Sequence, residues 1–193
     1  VLDLCAAPGG KTLQLAANGF EVTAVDISDS RLNRLRENLE RTELTAQVTA
    51  TDAVEYQGGP FDVVLLDAPC SATGTIRRHP DLPHVKDFSD LSGLIDLQAR
   101  LLDSAAGLVR PGGNLVFVTC SLLPEEGEAQ TASFLARNSG FEQVDLVEKA
   151  KEYGATADWA VDGGALRLRP DYWEDLGGMD GFYIAGFRKS ADG

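Results

Sequence analysis

A regular alternation between short apolar runs and leucines at helical spacing constrains the fold of this chain most. Apolar runs of strand length lie at residues 1–4, 21–26, 46–50, 61–66, 114–119, 141–147 and 182–187. Helical patterns separate them, at residues 11–18, from residue 28 onward, at 94–108 and at 124–138. Strands that alternate with helices are typical of a doubly wound, mostly parallel sheet, so we predict an α/β fold. Residues 67–89 and 149–180 are predicted to be irregular.

The length of the chain predicts a single domain over residues 1–193, because 193 residues can bury one substantial core and no linker or repeat interrupts the pattern. The first apolar run begins at Val1 without an initiator methionine, and we therefore expect the domain to be N-terminally truncated. None of the apolar runs approaches the roughly 20 residues that span a bilayer, which predicts no membrane partner. We expect a monomer.

The cysteines favour a reducing, cytoplasmic setting. They are Cys5, Cys70 and Cys120, an odd and widely spaced set, whereas a secreted disulfide framework needs an even and denser one. The chain has two histidines and no C-x-x-C pair, so we predict no metal site.

A turn of small residues at 5–10 follows the first apolar run and leads into Lys11. Its consecutive glycines let the backbone pass close to a ligand, and the helix that follows offers N–H groups. The phosphate-binding pattern G-x-x-x-x-G-K-[ST] would require glycine at Cys5, and the dinucleotide pattern G-x-G-x-x-G is missing. The turn therefore holds another kind of ligand or is a tight turn without one.

Acidic residues follow the second and third apolar runs. Asp26 stands where α/β folds place an acid that accepts hydrogen bonds from ribose hydroxyls, although it could equally cap the next helix in competition with Ser28. Asp52 could accept a hydrogen bond from an adenine amino group or be an ordinary turn residue. Together with the glycine turn, the two acids favour an adenosine-containing cofactor without a phosphate site, which points to S-adenosylmethionine more than to NAD or ATP.

Cysteines follow the next two strands of the predicted sheet. Cys70 ends the segment Asp67-Ala68-Pro69-Cys70, and Cys120 follows Thr119. Neighbouring parallel strands would bring both thiols to the same edge of the sheet. A lone cysteine is more often a buried apolar residue than a nucleophile, but two at adjacent strand ends, one near an acid, favour a catalytic pair. We expect Cys5 to be a packing residue.

The net charge argues against a nucleic-acid partner. Thirty acidic and seventeen basic residues give −13, whereas RNA-binding proteins usually carry a basic surface. Arg77 and Arg78 form a compact basic segment near the predicted site and could hold phosphates or merely solvate a loop. Arg167 and Arg169 form a smaller pair. The aromatic residues between 153 and 173 could stack on bases, but covering the sheet is the simpler interpretation.

In this order, the segments resemble the Sun-type family of RNA cytosine-5 methyltransferases over nearly the whole chain. Residues 3–12 are similar to the family's cofactor motif, residues 67–74 to its fourth motif, residues 118–126 to its sixth and residues 178–183 to its closing strand motif. The paired Pro-Cys and Thr-Cys motifs are the most specific of these. The stretch Arg-Arg-His-Pro-Asp at 77–81 is most similar to the bacterial enzymes that act on 16S ribosomal RNA.

The resemblance implies a Rossmann-like fold of the S-adenosylmethionine-dependent methyltransferase type, with an antiparallel last strand, and 16S ribosomal RNA as substrate. RNA contacts are expected from Arg77 and Arg78. Cofactor contacts are implied for Ala6, Ala7, Pro8, Gly9, Gly10, Lys11, Asp26, Arg31, Asp52, Ala53 and Asp67.

The resemblance also implies a covalent mechanism on an unpaired or flipped cytosine. Cys120 would attack carbon 6, Asp67 would hydrogen-bond N3, Cys70 would assist release, and Lys11 would orient Asp67 or the cofactor. Composition leaves the reverse assignment open, with Cys70 attacking as the Pro-Cys motif does in cytosine-5 DNA methyltransferases.

Two other functions fit parts of the sequence. A methyltransferase of a small molecule or a protein would suit the acidic charge, but it leaves Cys70 and Cys120 without roles. A non-catalytic RNA-binding or assembly factor could retain the fold, although intact Asp67, Lys11 and both cysteines argue against lost catalysis.

Overall fold

The computed structural model describes residues 1–85 and 88–191, so residues 86–87 of the predicted loop and the last two residues lie outside it. The strands are β1 (Leu2–Leu4), β2 (Thr23–Asp26), β3 (Gln47–Ala50), β4 (Phe61–Asp67), β5 (Val109–Thr119), β6 (Phe141–Val144), β7 (Ala160–Val161), β8 (Ala165–Leu168) and β9 (Phe182–Lys189). The helices are α1 (Gly10–Ala17), α2 (Asp29–Thr42), α3 (Leu82–Val85), α4 (Leu91–Leu108), α5 (Glu128–Arg137) and α6 (Val147–Lys151).

Across the described residues the strands form one sheet in the order β3-β2-β1-β4-β5-β9-β8-β7, with β6 also paired to β9. The pairs among β1 to β5 are parallel, whereas β9 runs antiparallel to β5. The opposite edge of β9 pairs with β8 along its first half and with β6 along its second half. The predicted doubly wound, mostly parallel sheet with an antiparallel last strand is therefore confirmed.

The sheet carries apolar clusters on both faces. Ala24 and Val25 are adjacent on β2 and point to opposite sides, and they belong to different clusters. Ala24 packs with Leu32, Leu35 and other residues of α2, while Val25 belongs to the larger core under α4. Because helices cover both faces, polar side chains of the strands are exposed mainly at the strand ends. No helix in the described part of the chain has the length and apolar character to cross a membrane.

Three predicted boundaries were wrong, two of them at glycines. The strand predicted over 141–147 ends at Val144, and α6 begins at Val147. Residues 110–113 were expected to separate a helix from a strand, but they form a bulge within β5, where the register with β4 shifts and Gly112 has φ +71°. The helix predicted over 124–138 is interrupted at Gly127, which adopts φ −132° and ψ −95°. A Cβ at Gly127 would lie 2.4 Å from Arg167 Nη2, so the close packing of that side chain requires glycine.

The segment 149–180, predicted to be irregular, contains the end of α6 and the short strands β7 and β8. These strands are only two and four residues long, too short for a periodic pattern to reveal. The segment covers the face of β9 opposite the main core. Trp159 lies there, 6% exposed and stacked on Tyr172 with ring centroids 5.3 Å apart, so these two rings cover the sheet as predicted. Tyr153 and Trp173, predicted to do the same, are 73% and 38% exposed.

Candidate active site

A cavity of about 360 Å³ opens at the carboxyl ends of the parallel strands. Each of the five parallel strands contributes to its wall from the residues that follow it, and α4 closes one side. Of the residues predicted to contact a cofactor, those that line it are Ala7, Asp26, Arg31, Asp52, Ala53 and Asp67. The edge of the sheet chosen from the sequence thus holds a cavity whose wall includes the predicted acids and both predicted catalytic cysteines.

The remaining residues of the glycine turn lie behind the cavity wall. Gly9 has φ +104°, and a Cβ there would lie 2.7 Å from Leu35 Cγ. Ala6 is buried in the same cluster as Leu35, while Pro8 and Gly10 are exposed. Glycine at position 9 is therefore required for the close packing of α2 against the turn, and the predicted cofactor contacts of the turn stay predictions.

Asp26 ties this turn to the end of β2. Its Oδ2 accepts a hydrogen bond from the Ala7 amide at 3.0 Å, and its Oδ1 accepts one from the Ser28 amide at 2.9 Å. Arg31 Nη1 lies 3.6 Å from the same carboxyl group, and the Arg31 guanidinium also donates to the Ala7 carbonyl. Ser28 caps α2 by accepting from the Arg31 amide, so the helix does not need Asp26 as its cap.

Asp52 and Asp67 line the cavity at the ends of β3 and β4. Asp52 Oδ1 accepts a hydrogen bond from the Val54 amide at 2.9 Å, which forms the turn after β3. Lys11 Nζ donates to Asp67 Oδ2 at 2.6 Å, and both side chains are about one-third exposed. Lys11 itself does not line the cavity but fixes the carboxyl group of Asp67, which does.

Cys70 and Cys120 meet on the cavity wall, with their Sγ atoms 3.4 Å apart. Their loops are joined beyond the strand ends, since the Gly74 amide donates to the Cys120 carbonyl at 2.9 Å. The hydrogen bond between the two thiols lowers the pKa of Cys120 in spite of its burial, and the same bond together with burial raises the pKa of Cys70. These directions are the ones expected when Cys70 is the donor and Cys120 carries the thiolate.

The third cysteine also lines the cavity, although it was predicted only as a packing residue. Cys5 packs against the main core and has φ +62°. Burial, reinforced by nearby carboxylates such as Asp26, raises its pKa to about 12. A thiol with that pKa is a poor nucleophile near neutral pH, so Cys5 can form part of the wall without competing with Cys120.

Arg77 and Arg78 lie outside the cavity lining and are exposed. Arg77 donates to the Gly177 carbonyl, and Arg78 Nε lies 2.6 Å from Asp180 Oδ2. The two arginines therefore fasten the loop after Cys70 to the segment before β9.

A comparison with protein families places this arrangement among known enzymes. Residues 1–188 match the family model described as 16S rRNA methyltransferase RsmB/F. The chain belongs to the RsmB/F family. The predicted resemblance to Sun-type methyltransferases is confirmed by this match, and the predicted cofactor S-adenosylmethionine agrees with membership in a methyltransferase family.

Curated relatives within the RsmB/F family are named ribosomal RNA small subunit methyltransferase B. The protein of Pseudomonas syringae pv. tomato is 43% identical over 198 residues, which cover 99% of this chain and 43% of the relative. That of Vibrio cholerae is 49% identical over 143 residues, covering 71% of this chain and 33% of the relative. The chain therefore spans less than half the length of these relatives.

Solved structures agree with the assignment to the RsmB/F family. NSun6 from Pyrococcus horikoshii, determined with SFG, superposes with a TM-score of 0.78 at 29% identity, covering 97% of this chain and 47% of that one. A methyltransferase homolog protein from the same organism gives a TM-score of 0.75 at 33% identity, covering 98% and 61%.

Sequence reasoning missed several apolar residues of the wall. They are Cys5, Ile27, Ala68, Ala72, Leu97 and Leu101. Ile27 carried a usable sequence signal, because it is an apolar residue directly after the strand-end acid. In the structure it is 70% exposed. Leu97 and Leu101 lie four apart on α4, and nothing in their spacing distinguishes a cavity wall from ordinary core.

Proposed function

We propose that this chain is the catalytic domain of an S-adenosylmethionine-dependent enzyme that methylates carbon 5 of a cytosine in 16S ribosomal RNA. The observation that carries the proposal is the 3.4 Å separation of Cys70 Sγ and Cys120 Sγ on a cavity wall that also includes Asp67. A methyltransferase of small molecules or proteins has no use for two adjoining thiols at this position. Residues 1–193 would form this one domain.

The cavity fits the proposed cofactor in size and in chemistry. Its volume of about 360 Å³ lies within the usual range for small-molecule sites. Asp26 and Asp52 offer carboxylate oxygens to ribose hydroxyls and an adenine amino group, and Ile27 and Leu101 offer apolar surface to the base. S-adenosylmethionine, when bound there, supplies a methyl group activated by a positively charged sulfur.

The cysteine pair supplies the thiolate that activates carbon 5 of cytosine. Carbon 5 of cytosine is a weak nucleophile, and addition of a thiolate at carbon 6 makes it a strong one. We assign this attack to Cys120, whose pKa is lowered by the hydrogen bond with Cys70. In its protonated form Asp67 would donate a hydrogen bond to N3 of the base and stabilise the negative charge that develops there, while Lys11 holds Oδ2 of the same carboxyl group.

Cys70 is suited to the second half of the reaction. Its raised pKa keeps it in the thiol form, and its Sγ lies within hydrogen-bond distance of Cys120 Sγ. Once a base has removed the proton from carbon 5, the bond between Cys120 and carbon 6 breaks and Cys120 leaves as a thiolate. A hydrogen bond from Cys70 would stabilise that thiolate, which favours Cys120 over Cys70 as the nucleophile.

The RNA is proposed to reach the cavity past the loop that carries Arg77 and Arg78. Both guanidinium groups are exposed and could contact phosphates, although Arg78 is partly neutralised by Asp180. A cytosine entering the cavity must be unpaired or flipped out of its helix. The monomeric state and the cytoplasmic setting stay predictions of the sequence.

The test is covalent trapping with the full-length protein. Wild type, Cys70→Ala and Cys120→Ala are incubated with S-adenosylmethionine and unmodified 16S ribosomal RNA, and adducts are separated on denaturing gels. Nucleoside mass spectrometry of the RNA identifies any 5-methylcytosine. We expect Cys70→Ala to accumulate a protein–RNA adduct and Cys120→Ala to form none.

The other results each change the proposal in a defined way. An adduct in Cys120→Ala but not in Cys70→Ala would exchange the roles of the two cysteines while keeping the chemistry. Undiminished RNA methylation in both variants, without an adduct in either, would exclude a cysteine mechanism.

A further inference from the structure

A fully buried glutamate bridges the two cysteine loops from behind. Glu126 is 0% exposed, and its Oε1 accepts hydrogen bonds from the amide of Ser71 at 2.9 Å and from Gln98 Nε2 at 3.0 Å. Its backbone carbonyl accepts a hydrogen bond from Thr119 Oγ1 at 3.1 Å. Ser71 follows Cys70 and Thr119 precedes Cys120, so one residue contacts both loops next to their thiols.

Two buried glutamines complete this polar network from α4 and α5. Gln98 Nε2 also donates to the Pro69 carbonyl at 2.9 Å, and Gln98 Oε1 accepts from Gln130 Nε2 at 3.3 Å. Glu126 Oε2, by contrast, is buried without a hydrogen-bond partner. Burying a carboxyl group in this way costs stability, and packing alone would be served better by an apolar residue. The position of the network next to the cysteines indicates a functional role for the buried carboxyl group.

The charged groups around the two thiols differ. Around Cys70, the hydrogen bond with Cys120 and burial raise the pKa most, and the negative charge of Glu126 raises it further. Around Cys120, the hydrogen bond with Cys70 lowers the pKa, Asp67 opposes this change and Lys11 favours it. The carboxyl group of Glu126 therefore opposes a thiolate on Cys70, whereas Asp67 and Lys11 act on Cys120 with opposite signs.

We propose that Glu126 is a positioning residue that keeps the shared proton of the cysteine pair on Cys70 and so leaves Cys120 as the thiolate. It acts through Cys70, from behind the loop. The inference rests on the cysteine roles proposed above, which it deepens by naming a buried group that adds to the difference between the two thiols.

Site-resolved alkylation tests the proposal without RNA or cofactor. The full-length protein is treated briefly with iodoacetamide across the pH range in which thiols ionise, and peptide mass spectrometry measures modification of Cys70 and Cys120 separately. The variants are Glu126→Gln, which keeps the shape and removes the charge, and Glu126→Asp, which keeps the charge. Glu125→Gln removes the same charge from the exposed neighbouring residue and serves as the matched control.

In the wild type we expect Cys120 to react at lower pH than Cys70. At a pH of about 8, Glu126→Gln should lower the ratio of Cys120 to Cys70 modification about fivefold, since a negative charge hydrogen-bonded to the amide that follows Cys70 no longer opposes a thiolate there. Glu126→Asp should retain most of the wild-type ratio and Glu125→Gln all of it. A ratio in Glu126→Gln equal to that of Glu125→Gln would overturn the proposal and leave Glu126 a purely structural role.

Two further results are decisive. If Glu126→Gln does not fold, the wild-type profile decides, because Cys70 reacting at the lower pH contradicts the proposal. A changed alkylation ratio without any RNA adduct in the trapping experiment would keep the proton placement and refute the cytosine chemistry. An RNA adduct together with an unchanged alkylation ratio in Glu126→Gln would keep the cytosine chemistry and refute the role of Glu126 in placing the proton.

Discussion

Replacing Asp3 by asparagine should stabilise the protein near neutral pH. Asp3 lies on β1 and is 0% exposed, so its carboxyl group has lost its contact with water. Its Oδ2 accepts one hydrogen bond, from Thr12 Oγ1 at 2.5 Å, and its Oδ1 is buried without a partner. Burial raises the pKa from 3.8 to about 6, the Thr12 hydrogen bond opposes this shift, and the nearby charge of Asp67 adds to it.

The size and the sign of the effect follow from linkage. A rise in pKa from 3.8 to about 6 corresponds to about 3 kcal/mol. Because the folded-state pKa lies above the unfolded-state value, the contribution of Asp3 to stability is fully present below pH 3.8 and is lost as the pH rises through about 6. Asp3→Asn should therefore exceed the wild type by up to about 3 kcal/mol at a pH of about 7 and by much less at about 4.

Urea denaturation at a series of pH values measures this difference directly. Subtracting the wild-type free energy of unfolding from that of Asp3→Asn removes the titration of all other groups, and the exposed Asp175→Asn should show no such pH dependence. A difference that stays constant with pH, or a wild type that is more stable at neutral pH, would refute the argument that buried charge at Asp3 destabilises the fold.

Two further substitutions test packing around the site by urea denaturation, each against a matched control. Gly74→Ala should lower the free energy of unfolding by about 2–3 kcal/mol, because its Cβ would lie 2.1 Å from the Gly181 carbonyl oxygen. Its control, Gly107→Ala, lies on the exposed side of α4 with no atom within contact distance and should raise the free energy of unfolding by about 0.5–1 kcal/mol. Arg167→Met should cost about 2 kcal/mol, because it breaks a largely buried ion pair, whereas Arg169→Met, at an exposed pair, should change stability by less than about 0.5 kcal/mol. If a variant and its control change the free energy of unfolding equally, the packing described for that variant is contradicted.

The location of the site could be predicted from the sequence because its polar residues sit at strand ends. The run 61–66 predicted a buried strand, and a buried parallel strand must deliver the next residue, Asp67, to the carboxyl edge of the sheet. The same reasoning applied to Thr119 and Cys120. Adjacent strands then bring Cys70 and Cys120 together, which required only the assumption that β4 and β5 are neighbours.

The buried polar contacts behind the site could not be predicted in this way. Arg167 looked like half of a basic surface pair with Arg169, yet it is buried, donates to the Ser121 carbonyl at 2.5 Å and pairs with Glu128. Glu126, which lies in the helix predicted over 124–138, is likewise fully buried. Charged residues have no periodicity that separates a buried partner from an exposed one, because the difference depends on which distant strand packs against them.

The sheet order explains why β4 carries so many of the functional residues. It lies between β1, whose turn leads to Lys11, and β5, which leads to Cys120. Asp67 and Cys70 therefore each meet a partner from a different neighbouring strand, Lys11 at 2.6 Å and Cys120 at 3.4 Å. Because the carboxyl group and the thiol are three residues apart on one loop, any shift of that loop changes both contacts together. The buried hydrogen bonds of Glu126 and Gln98 with this loop thus fix its position between the two contacts.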